Sequence, residues 1–339
     1  MSDVNRQWVL ASRPTGMVQE SDFELRESPL PALQDGQARV RTLYLSFDPA
    51  MRGWLNDVPS YVPPVQIGEV MRAGGVGQVV ESREPKLEPG DIVQGTFGWQ
   101  EYALATAGGP AGARPVPEGV PITWPLGVLG GTGLTAYFGL LEVGQPKPGE
   151  TVVVSAAAGA TGSVAAQIAR IRGCRVIGIA GSPDKVGWLV HEARLDGAID
   201  YNHEHVSARL DDLCPDGIDV YFDNVGGKIL DTVLARINSH ARIALCGGIS
   251  TYNSTERAGP RNYMQLVVRS ARMQGFLTFD FLPRFGEAIA DLSAWVQAGE
   301  IAHQEDIQHG FENAPATLLR LFQGKNLGKQ LLRVADPEG

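Results

Sequence analysis

The stretch TVVVSAAAGATGSVAAQIARI, residues 151–171, constrains the fold of this chain more than any other part of its sequence. Residues 151–156 are uncharged, mostly apolar and largely β-branched, which predicts a buried strand. In residues 163–171 the apolar side chains recur on one face, which predicts a helix. The intervening turn matches the pattern G-x-G-x-x-G, except that Ala157 stands at the first glycine. The stretch therefore predicts a strand, a glycine turn and a helix of a parallel α/β unit.

The glycine turn has the features of a dinucleotide phosphate site. Gly159 would let the main chain approach a pyrophosphate, and Gly162 would let the helix pack closely on the strand. The helix would direct free N–H groups and its positive dipole end at the phosphates. Similar glycine patterns also form plain turns, so the flanking strand and helix carry this interpretation. The predicted pyrophosphate-binding residues are Ala158, Gly159, Ala160, Thr161 and Gly162.

The segment GSPDK, residues 181–185, follows the second predicted strand of this domain and bears on the choice of cofactor. In NAD sites an acidic residue about 20 positions after the glycines binds the ribose 2′-hydroxyl. No carboxylate stands at the tip of this strand, whereas Lys185 follows shortly after. Ser182 and Pro183 are also ordinary residues for a helix start. The missing acid favours NADPH over NADH, with Ser182 and Lys185 as candidates for binding its 2′-phosphate.

The rest of the chain divides at about residue 128. Before it, short β-like runs broken by Pro and Gly predict a compact, mainly β domain; they lie at 38–45, 75–82, 91–97 and 101–107. After it, strand and helix alternate, which predicts a doubly wound parallel sheet of the Rossmann type. The expected helices are 131–142, 163–171 and 183–193, and the expected strands are 151–156, 175–180, 197–201, 218–222, 242–246 and 273–277. A strand-like run at 329–334 is expected to rejoin the first domain. The predicted fold class is therefore α/β, with a Rossmann domain at 129–302 and a mainly β domain at 1–128 completed by 303–339.

Charge and cysteine content indicate the kind of partner and compartment. The formal net charge of −9 comes without a basic stripe for nucleic acid or a polybasic cluster for anionic membranes. We therefore expect a small-molecule partner, no nucleic acid and no membrane. The three cysteines, Cys174, Cys214 and Cys246, are far apart and odd in number, so neither a disulfide framework nor a CxxC metal site is expected. Without an apolar segment near residue 1, a cytoplasmic location is expected.

Missing residues separate the dehydrogenase classes that share such a cofactor domain. None of the eight tyrosines has a lysine four positions later, so the Tyr-x-x-x-Lys pair of the short-chain enzymes is absent. A catalytic zinc needs thiolate and imidazole ligands, but no cysteine precedes Cys174 and no histidine precedes His191. The run His203-Glu204-His205 has no further ligands near it in sequence and is expected to be a solvated loop. We therefore expect an enzyme that needs no metal.

Over nearly its whole length the chain resembles the zinc-independent medium-chain dehydrogenase/reductases, in particular the leukotriene B4 12-hydroxydehydrogenase / prostaglandin reductase group. This group includes bacterial curcumin reductases and plant double-bond reductases. The resemblance rests on SFDPAMR at 46–52, GEVM at 68–71, GVG at 75–77, GLTAYFGL at 133–140, AAAGATGS at 156–163, DNVGG at 223–227, CGGISTYN at 246–253 and NLGK at 326–329.

The resemblance implies a GroES-like catalytic domain closed by the C-terminal segment, a Rossmann domain and a homodimer joined through the edges of the Rossmann sheets. It also implies roles for single residues. Lys185 and Tyr201 would hold the 2′-phosphate of NADPH, and Asn224 and Asn326 would lie along its nicotinamide half. Tyr252 would lie near the nicotinamide ribose and the reacting carbonyl group, as the catalytic residue.

Two departures from the family pattern concern the substrate pocket. Many members have Tyr where Ala50 stands, at a position that can line the pocket, and many have Met-Pro at 131–132, where this chain has Gly-Thr. Tyr61 is a further candidate for the pocket. Because these pocket residues differ from the family pattern, the resemblance says less about substrate preference than about fold and cofactor.

The expected reaction is NADPH-dependent reduction of the C=C bond of an α,β-unsaturated ketone or aldehyde. Hydride would reach the β-carbon, and negative charge would build on the carbonyl oxygen, where hydrogen-bond donors stabilise it. A ζ-crystallin-type NADPH:quinone reductase is the alternative enzyme with the same fold and cofactor. A non-catalytic NADPH-binding protein is the alternative from another class, and the physiological substrate stays open.

Overall fold

The computed structural model describes residues 4–109, 112–255 and 259–338. The chain forms two compact units. The first unit comprises the chain up to Leu126 together with the segment from Glu305 onward. The second unit is Gly127–Gln304.

The segment before Leu126 is built mainly from short strands. Its elements are β1 (Val4–Leu10), β2 (Phe23–Pro29), β3 (Ala38–Ser46), helix α1 (Met51–Trp54), β4 (Gly74–Ser82), β5 (Ile92–Thr96), β6 (Tyr102–Ala105) and β7 (Arg114–Pro115), with 3-10 turns at Glu20–Asp22 and Trp124–Leu126. The strands predicted at 38–45, 75–82, 91–97 and 101–107 correspond to β3, β4, β5 and β6, with ends that differ by at most two residues.

The second unit alternates strands and helices. Its elements are α2 (Gly131–Phe138), a π-helical turn (Gly139–Gly144), β8 (Thr151–Ser155), α3 (Ala160–Ile171), β9 (Arg175–Ala180), α4 (Pro183–His191), β10 (Gly197–Asp200), α5 (Val206–Leu213), β11 (Ile218–Asp223), α6 (Gly227–Leu234), β12 (Ile237–Leu245), α7 (Ile249–Tyr252), α8 (Gln265–Val268), β13 (Arg272–Gly275), a 3-10 segment (Thr278–Arg284) and α9 (Phe285–Gln297). The final segment adds β14 (Glu305–His309), a 3-10 turn (Phe311–Asn313), α10 (Ala314–Phe322) and β15 (Lys329–Arg333) to the first unit.

The sheet of the second unit has the strand order β10-β9-β8-β11-β12-β13, and all its pairs are parallel. Numbered from β8 as the first strand, this is the order 3-2-1-4-5-6 of a doubly wound dinucleotide-binding fold. Val152, Val153 and Val154 of the central strand β8 are fully buried. This burial explains why the strand reads as a continuous apolar run rather than an alternating one. The predicted Rossmann sheet is confirmed.

Most strand pairs of the first unit are antiparallel, whereas β14 pairs in parallel with β15. Its larger sheet has the order β14-β15-β3-β4-β5-β7, with β6 also paired to β3, and β1 and β2 form a separate hairpin. Within it, β15 pairs antiparallel with β3, which places Leu331 opposite Ser46. The core includes Trp99, whose ring lies 4.9 Å from Phe23 and 5.1 Å from Phe47 between centroids. A second domain with a mainly antiparallel sheet, distinct from the domain with the Rossmann sheet, matches the predicted fold class.

The helix predicted at 131–142 changes character at Gly139. α-Helical bonding ends at Phe138, and a π-helical turn follows. A Cβ at Gly139 would lie 2.2 Å from the Phe276 ring, so any other residue would force that ring or the turn to move. Along the described stretches of the chain, none of the helices has both the length and the apolar composition needed to cross a membrane.

Candidate cofactor and substrate site

The glycine turn after β8 leads directly into helix α3. Ala156 has a positive φ of 46°, and Gly159 is the N-cap residue. Helix α3 therefore begins at Ala160, three residues earlier than predicted, because the glycines were assigned to the turn. The first bond of the helix runs from Ser163 N to Gly159 O at 2.9 Å. The N–H groups of residues 160–162 precede that bond and point out of the helix start.

Gly162 allows the close approach of α3 to the end of β8. A Cβ at this position would lie 2.3 Å from Ala156 O, a distance that side chains do not tolerate. Gly159 is the N-cap residue and has no side chain. The free N–H groups in the first turn of α3 are therefore not covered by a capping hydroxyl or carboxylate. A pyrophosphate fits such a helix start, since it supplies the acceptors that a capping side chain would otherwise provide.

The residues predicted for the 2′-phosphate meet at the ends of β9 and β10. Ser182 caps α4, and its Oγ accepts a hydrogen bond from Lys185 N at 3.4 Å. The Tyr201 ring packs on Gly181, where an added Cβ would lie 2.6 Å from the tyrosine hydroxyl. Asn202, which the sequence analysis did not select, donates from Nδ2 to Gly181 O at 2.7 Å. The turn that carries Ser182 and Lys185 is thus held by the segment that follows β10.

The loop at 203–205 is built from local polar contacts. The ring Nδ1 of His203 lies 2.8 Å from Asp200 Oδ2, and Glu204 pairs with Arg209 at 2.6 Å. Burial acts to raise the pKa of Asp200, but hydrogen bonds from His203 and from Asn202 N outweigh it and lower that pKa. Within the described residues, no group of three or more His, Cys, Asp or Glu side chains is placed to hold a metal ion.

Asn224 lies where the strand order reverses, between β8 and β11. Its main-chain N donates to Ser155 Oγ at 2.9 Å, and its Nδ2 donates to Ser155 O at 2.7 Å. Asn224 therefore ties the carboxyl end of β11 to the carboxyl end of β8. Ligands of open parallel sheets bind at such a switch point.

Tyr252 ends the short helix α7 that follows β12. Its hydroxyl accepts a hydrogen bond from Gly248 N at 3.1 Å and lies 2.9 Å from the position that a Cβ of Gly247 would take. The ring thus folds back over the two glycines at the carboxyl end of β12. The bond to Gly248 uses an oxygen lone pair and not the hydroxyl hydrogen.

The sequence-predicted residues fall into two groups. The turns after β8, β9, β10, β11 and β12 all lie at one edge of the sheet, because its strands are parallel. That edge carries Ala158, Gly159, Ala160, Thr161, Gly162, Ser182, Lys185, Tyr201, Asn224 and Tyr252. Ala50, Tyr61 and Asn326 belong to the first unit and have their own contacts there.

In the first unit, Ala50 directly precedes helix α1, and Trp54 at the end of that helix donates from Nε1 to the Tyr61 hydroxyl at 3.2 Å. Tyr61 is 48% exposed. Ala50 and Tyr61 are therefore linked through one short helix. Asn326 donates from Nδ2 to Gly328 O at 2.9 Å, which braces the turn before β15.

An ion pair between a buried lysine and a partly exposed aspartate, which the sequence analysis missed, holds this part of the first unit together. Lys329 is 3% exposed, and its Nζ donates to Asp48 Oδ1 at 2.5 Å and to Phe47 O at 3.1 Å. Asp48 Oδ2 also accepts from Ser46 Oγ at 2.8 Å. The pair joins the motif at 46–52 to the motif at 326–329. Both motifs were noticed in the sequence, but nothing in either one indicated that they meet.

Comparisons with known proteins cover nearly the whole chain. Residues 6–111 match the family model of an N-terminal domain of oxidoreductase, and residues 160–294 match that of a zinc-binding dehydrogenase. The chain is 43% identical to the NADPH-dependent curcumin reductase of Escherichia coli K12, over 98% of each protein. It is 40% identical to the NADP-dependent 2-alkenal reductase of Nicotiana tabacum, again over 98% of each. The crystal structure of CurA from Vibrio vulnificus in complex with NADPH superposes with a TM-score of 0.93, at 42% identity, over 98% of this chain and all of that one.

Proposed function

This chain belongs to the zinc-independent medium-chain dehydrogenase/reductases, and we propose that it reduces the C=C bond of α,β-unsaturated ketones and aldehydes with NADPH. The full-length match to reductases of conjugated double bonds carries this proposal. The cofactor residues support it, because helix α3 starts without a capping side chain and Lys185 stands where an NAD-binding acid is missing.

When bound, NADPH supplies a hydride to the β-carbon of the enone. The electron pair of the double bond then moves toward the carbonyl, so negative charge develops on the carbonyl oxygen before a proton reaches the α-carbon. A hydrogen-bond donor that meets this oxygen lowers the barrier. We assign this role to the Tyr252 hydroxyl, acting directly or through the ribose hydroxyl.

The roles of the other residues follow from their positions. The N–H groups at the start of α3 bind the pyrophosphate, and Ser182, Lys185 and Tyr201 bind the 2′-phosphate. Asn224 supports the nicotinamide half from the switch point. Asn326, and Ala50 with Tyr61, keep the roles that the family resemblance gives them, along the nicotinamide and in the substrate pocket.

We further propose a homodimer and a cytoplasmic location. β13 is one of the two edge strands of the six-stranded sheet, and large apolar side chains near it are exposed. Val267 is 67% exposed and Val268 70% exposed on helix α8, just before that strand. An edge strand with an apolar border favours pairing with a second copy. The free thiols of Cys174, Cys214 and Cys246 support a reducing compartment.

A substrate panel tests the proposed function. Purified protein is assayed for NADPH oxidation with enones, enals and quinones, and the products are analysed by mass spectrometry. We expect turnover of enones and enals to saturated ketones and aldehydes. Turnover of quinones alone would favour the quinone reductase alternative, and NADPH binding without turnover of any substrate would indicate a non-catalytic binding protein.

A further inference from the structure

Asp223 ends β11 at the switch point and is fully buried, yet the reaction described above gives it no role. Its Oδ1 accepts four hydrogen bonds, from Ser155 Oγ at 3.0 Å, Tyr221 OH at 2.8 Å, Val225 N at 3.0 Å and Gly226 N at 2.9 Å. These bonds shape the loop that carries Asn224.

The main chain of Asp223 holds a second loop. Its carbonyl oxygen accepts from Cys246 N at 2.9 Å and from Gly247 N at 3.0 Å, at the start of the segment that leads to Tyr252. In contrast, Oδ2 of the same carboxylate is buried and has no hydrogen-bond partner within the described part of the chain.

Burial of a carboxylate without a cationic partner is costly, and an asparagine could accept the same bonds to one oxygen. No ion pair of Asp223 occurs among the described residues, and all four donors to it are neutral groups. Burial first, and the charge of Asp223 second, raise the pKa of the Cys246 thiol to about 12. A buried carboxylate without a permanent cationic partner suggests that a positively charged ligand group binds near it during the reaction cycle.

The strand order indicates which half of the cofactor comes near Asp223. The candidate 2′-phosphate residues follow β9 and β10, on one side of the switch point. A dinucleotide that crosses the switch point places its other half beside β11 and β12. That half carries the nicotinamide ring, which is neutral in NADPH and positively charged in NADP⁺.

We propose that Asp223 is an electrostatic positioning residue that favours the positively charged nicotinamide of NADP⁺ over the neutral ring of NADPH. This inference rests on the proposed function. In hydride transfer the C4–H bond of the coenzyme breaks with its electron pair, a C–H bond forms at the substrate β-carbon, and the ring gains a positive charge. A buried negative charge nearby stabilises that change, so Asp223 makes the bound coenzyme a better hydride donor.

The test compares the binding of the two coenzymes, not turnover. Asp223→Asn keeps the shape and an acceptor oxygen, and places the amide nitrogen where Oδ2 has no partner. Asp219→Asn is the matched control, because Asp219 lies in the same strand toward its other end and accepts from Thr151 N and Asn238 Nδ2. NADPH binding is measured by fluorescence titration and NADP⁺ binding by displacement. Both coenzymes carry the same 2′-phosphate and pyrophosphate, so the contributions of these groups to binding cancel in the ratio of the two Kd values.

We expect Asp223→Asn to raise the ratio Kd(NADP⁺)/Kd(NADPH) about tenfold, as for the loss of one buried unit charge at an effective dielectric constant of about 20. Asp219→Asn should leave the ratio unchanged. A purely structural role would weaken both coenzymes alike, so an unchanged ratio in a folded Asp223→Asn variant overturns the proposal. Failure of the enone assay with an altered ratio would reject the proposed substrate and leave the role of Asp223 intact.

A second variant covers the case in which Asp223→Asn does not fold. Tyr221→Phe keeps the carboxylate but removes one donor that disperses its charge. The ratio should then fall, about two- to threefold. A ratio that rises or stays at the wild-type value contradicts the proposal.

Discussion

Lys185 lies in the first turn of α4, three residues after the cap residue Ser182, where the helix dipole also favours an anion. We expect Lys185→Ala to raise the KM for NADPH roughly 10- to 100-fold, because a charge-assisted bond to phosphate contributes about 1.5–3 kcal/mol. The KM for NADH should change little. The bond to Ser182 comes from the main chain and survives the substitution.

Steady-state kinetics with both coenzymes measure this effect. Asp184→Asn is a suitable control, since it removes a negative charge from the same exposed helix turn and should not weaken NADPH binding. An equal rise of both KM values in Lys185→Ala would show that the lysine does not recognise the 2′-phosphate.

Tyr252→Phe tests the donor assigned to the carbonyl oxygen. Loss of one oxyanion donor costs on the order of 10² to 10³ in kcat, and the ribose hydroxyl is expected to share the role. We therefore predict a loss of roughly tenfold to a hundredfold in kcat, with the Kd for NADPH little changed. The assay requires a primary deuterium isotope effect, which shows that hydride transfer limits the rate.

Tyr263→Phe is the control for Tyr252→Phe, because Tyr263 is 57% exposed and has no assigned role. It should retain wild-type kcat. Wild-type kcat in Tyr252→Phe under the same rate-limiting conditions would remove Tyr252 from the mechanism.

Single residues differ in how far the sequence reveals them. Lys185 follows a strand end next to a local pattern, so its position in the chain was enough to select it. Asn224 was selected through the family resemblance, by its match to the motif at 223–227. Lys329 and Asp48 are 281 positions apart, and their ion pair depends on the pairing of β15 with β3. Asp223 was part of a quoted motif, but its role depends on contacts with Ser155 and Cys246 from other strands.

At the scale of elements, helices α3 and α4 each contain a glycine, and replacing it by alanine is expected to change protein stability in opposite directions. Gly162→Ala would bring a Cβ within 2.3 Å of Ala156 O, so the helix must shift away from the strand end. We expect a loss of stability of about 1–3 kcal/mol and clearly weaker NADPH binding. Gly187→Ala lies inside α4 with no heavy atom within 4 Å of the new Cβ, and should gain about 0.5–1 kcal/mol.

Thermal midpoints and NADPH titrations of the two variants check this pair. The midpoint should fall for Gly162→Ala and hold or rise for Gly187→Ala. A Gly162→Ala variant with wild-type stability and NADPH affinity would mean that close packing of α3 on β8 does not shape the phosphate site.

Strands and helices could be predicted where the pattern of apolar residues in the sequence matches the burial of the element in the fold. β8 reads as a buried strand because Val152, Val153 and Val154 are covered on both faces. β2 was missed, because its sequence FELRESP is largely exposed and polar, and the strand is defined by its pairing with β1. The start of α3 was placed too late because glycine in a first helical turn looks like a loop when its packing is unknown.

At the scale of the whole molecule, the buried cysteines predict that the folded protein loses stability at alkaline pH. Burial raises the pKa of Cys174 and of Cys214 to about 11, and that of Cys246 to about 12. In the unfolded chain a thiol ionises near 8.5. Between about pH 9 and 11 the unfolded state therefore holds fewer protons than the folded state, so stability falls as the pH rises.

The thermal midpoint measured from pH 8 to pH 10.5 should decline, and the decline should be shallower when Cys174 and Cys214 are replaced by alanine. The comparison uses the slope of the thermal midpoint against pH, because the substitutions also change packing and so shift the midpoint at every pH. Identical slopes in the wild-type protein and in the double variant would refute this origin of the pH dependence.

Isotope transfer from deuterated NADPH to an enone tests the proposed reaction most directly. NADPH that carries deuterium at the transferred C4 position is incubated with the protein and a simple aryl enone, and the product is analysed by NMR. We predict one deuterium at the β-carbon, a proton from solvent at the α-carbon and an intact carbonyl group. Deuterium at the carbonyl carbon of an allylic alcohol, or a product without deuterium, would contradict hydride transfer to the conjugated double bond.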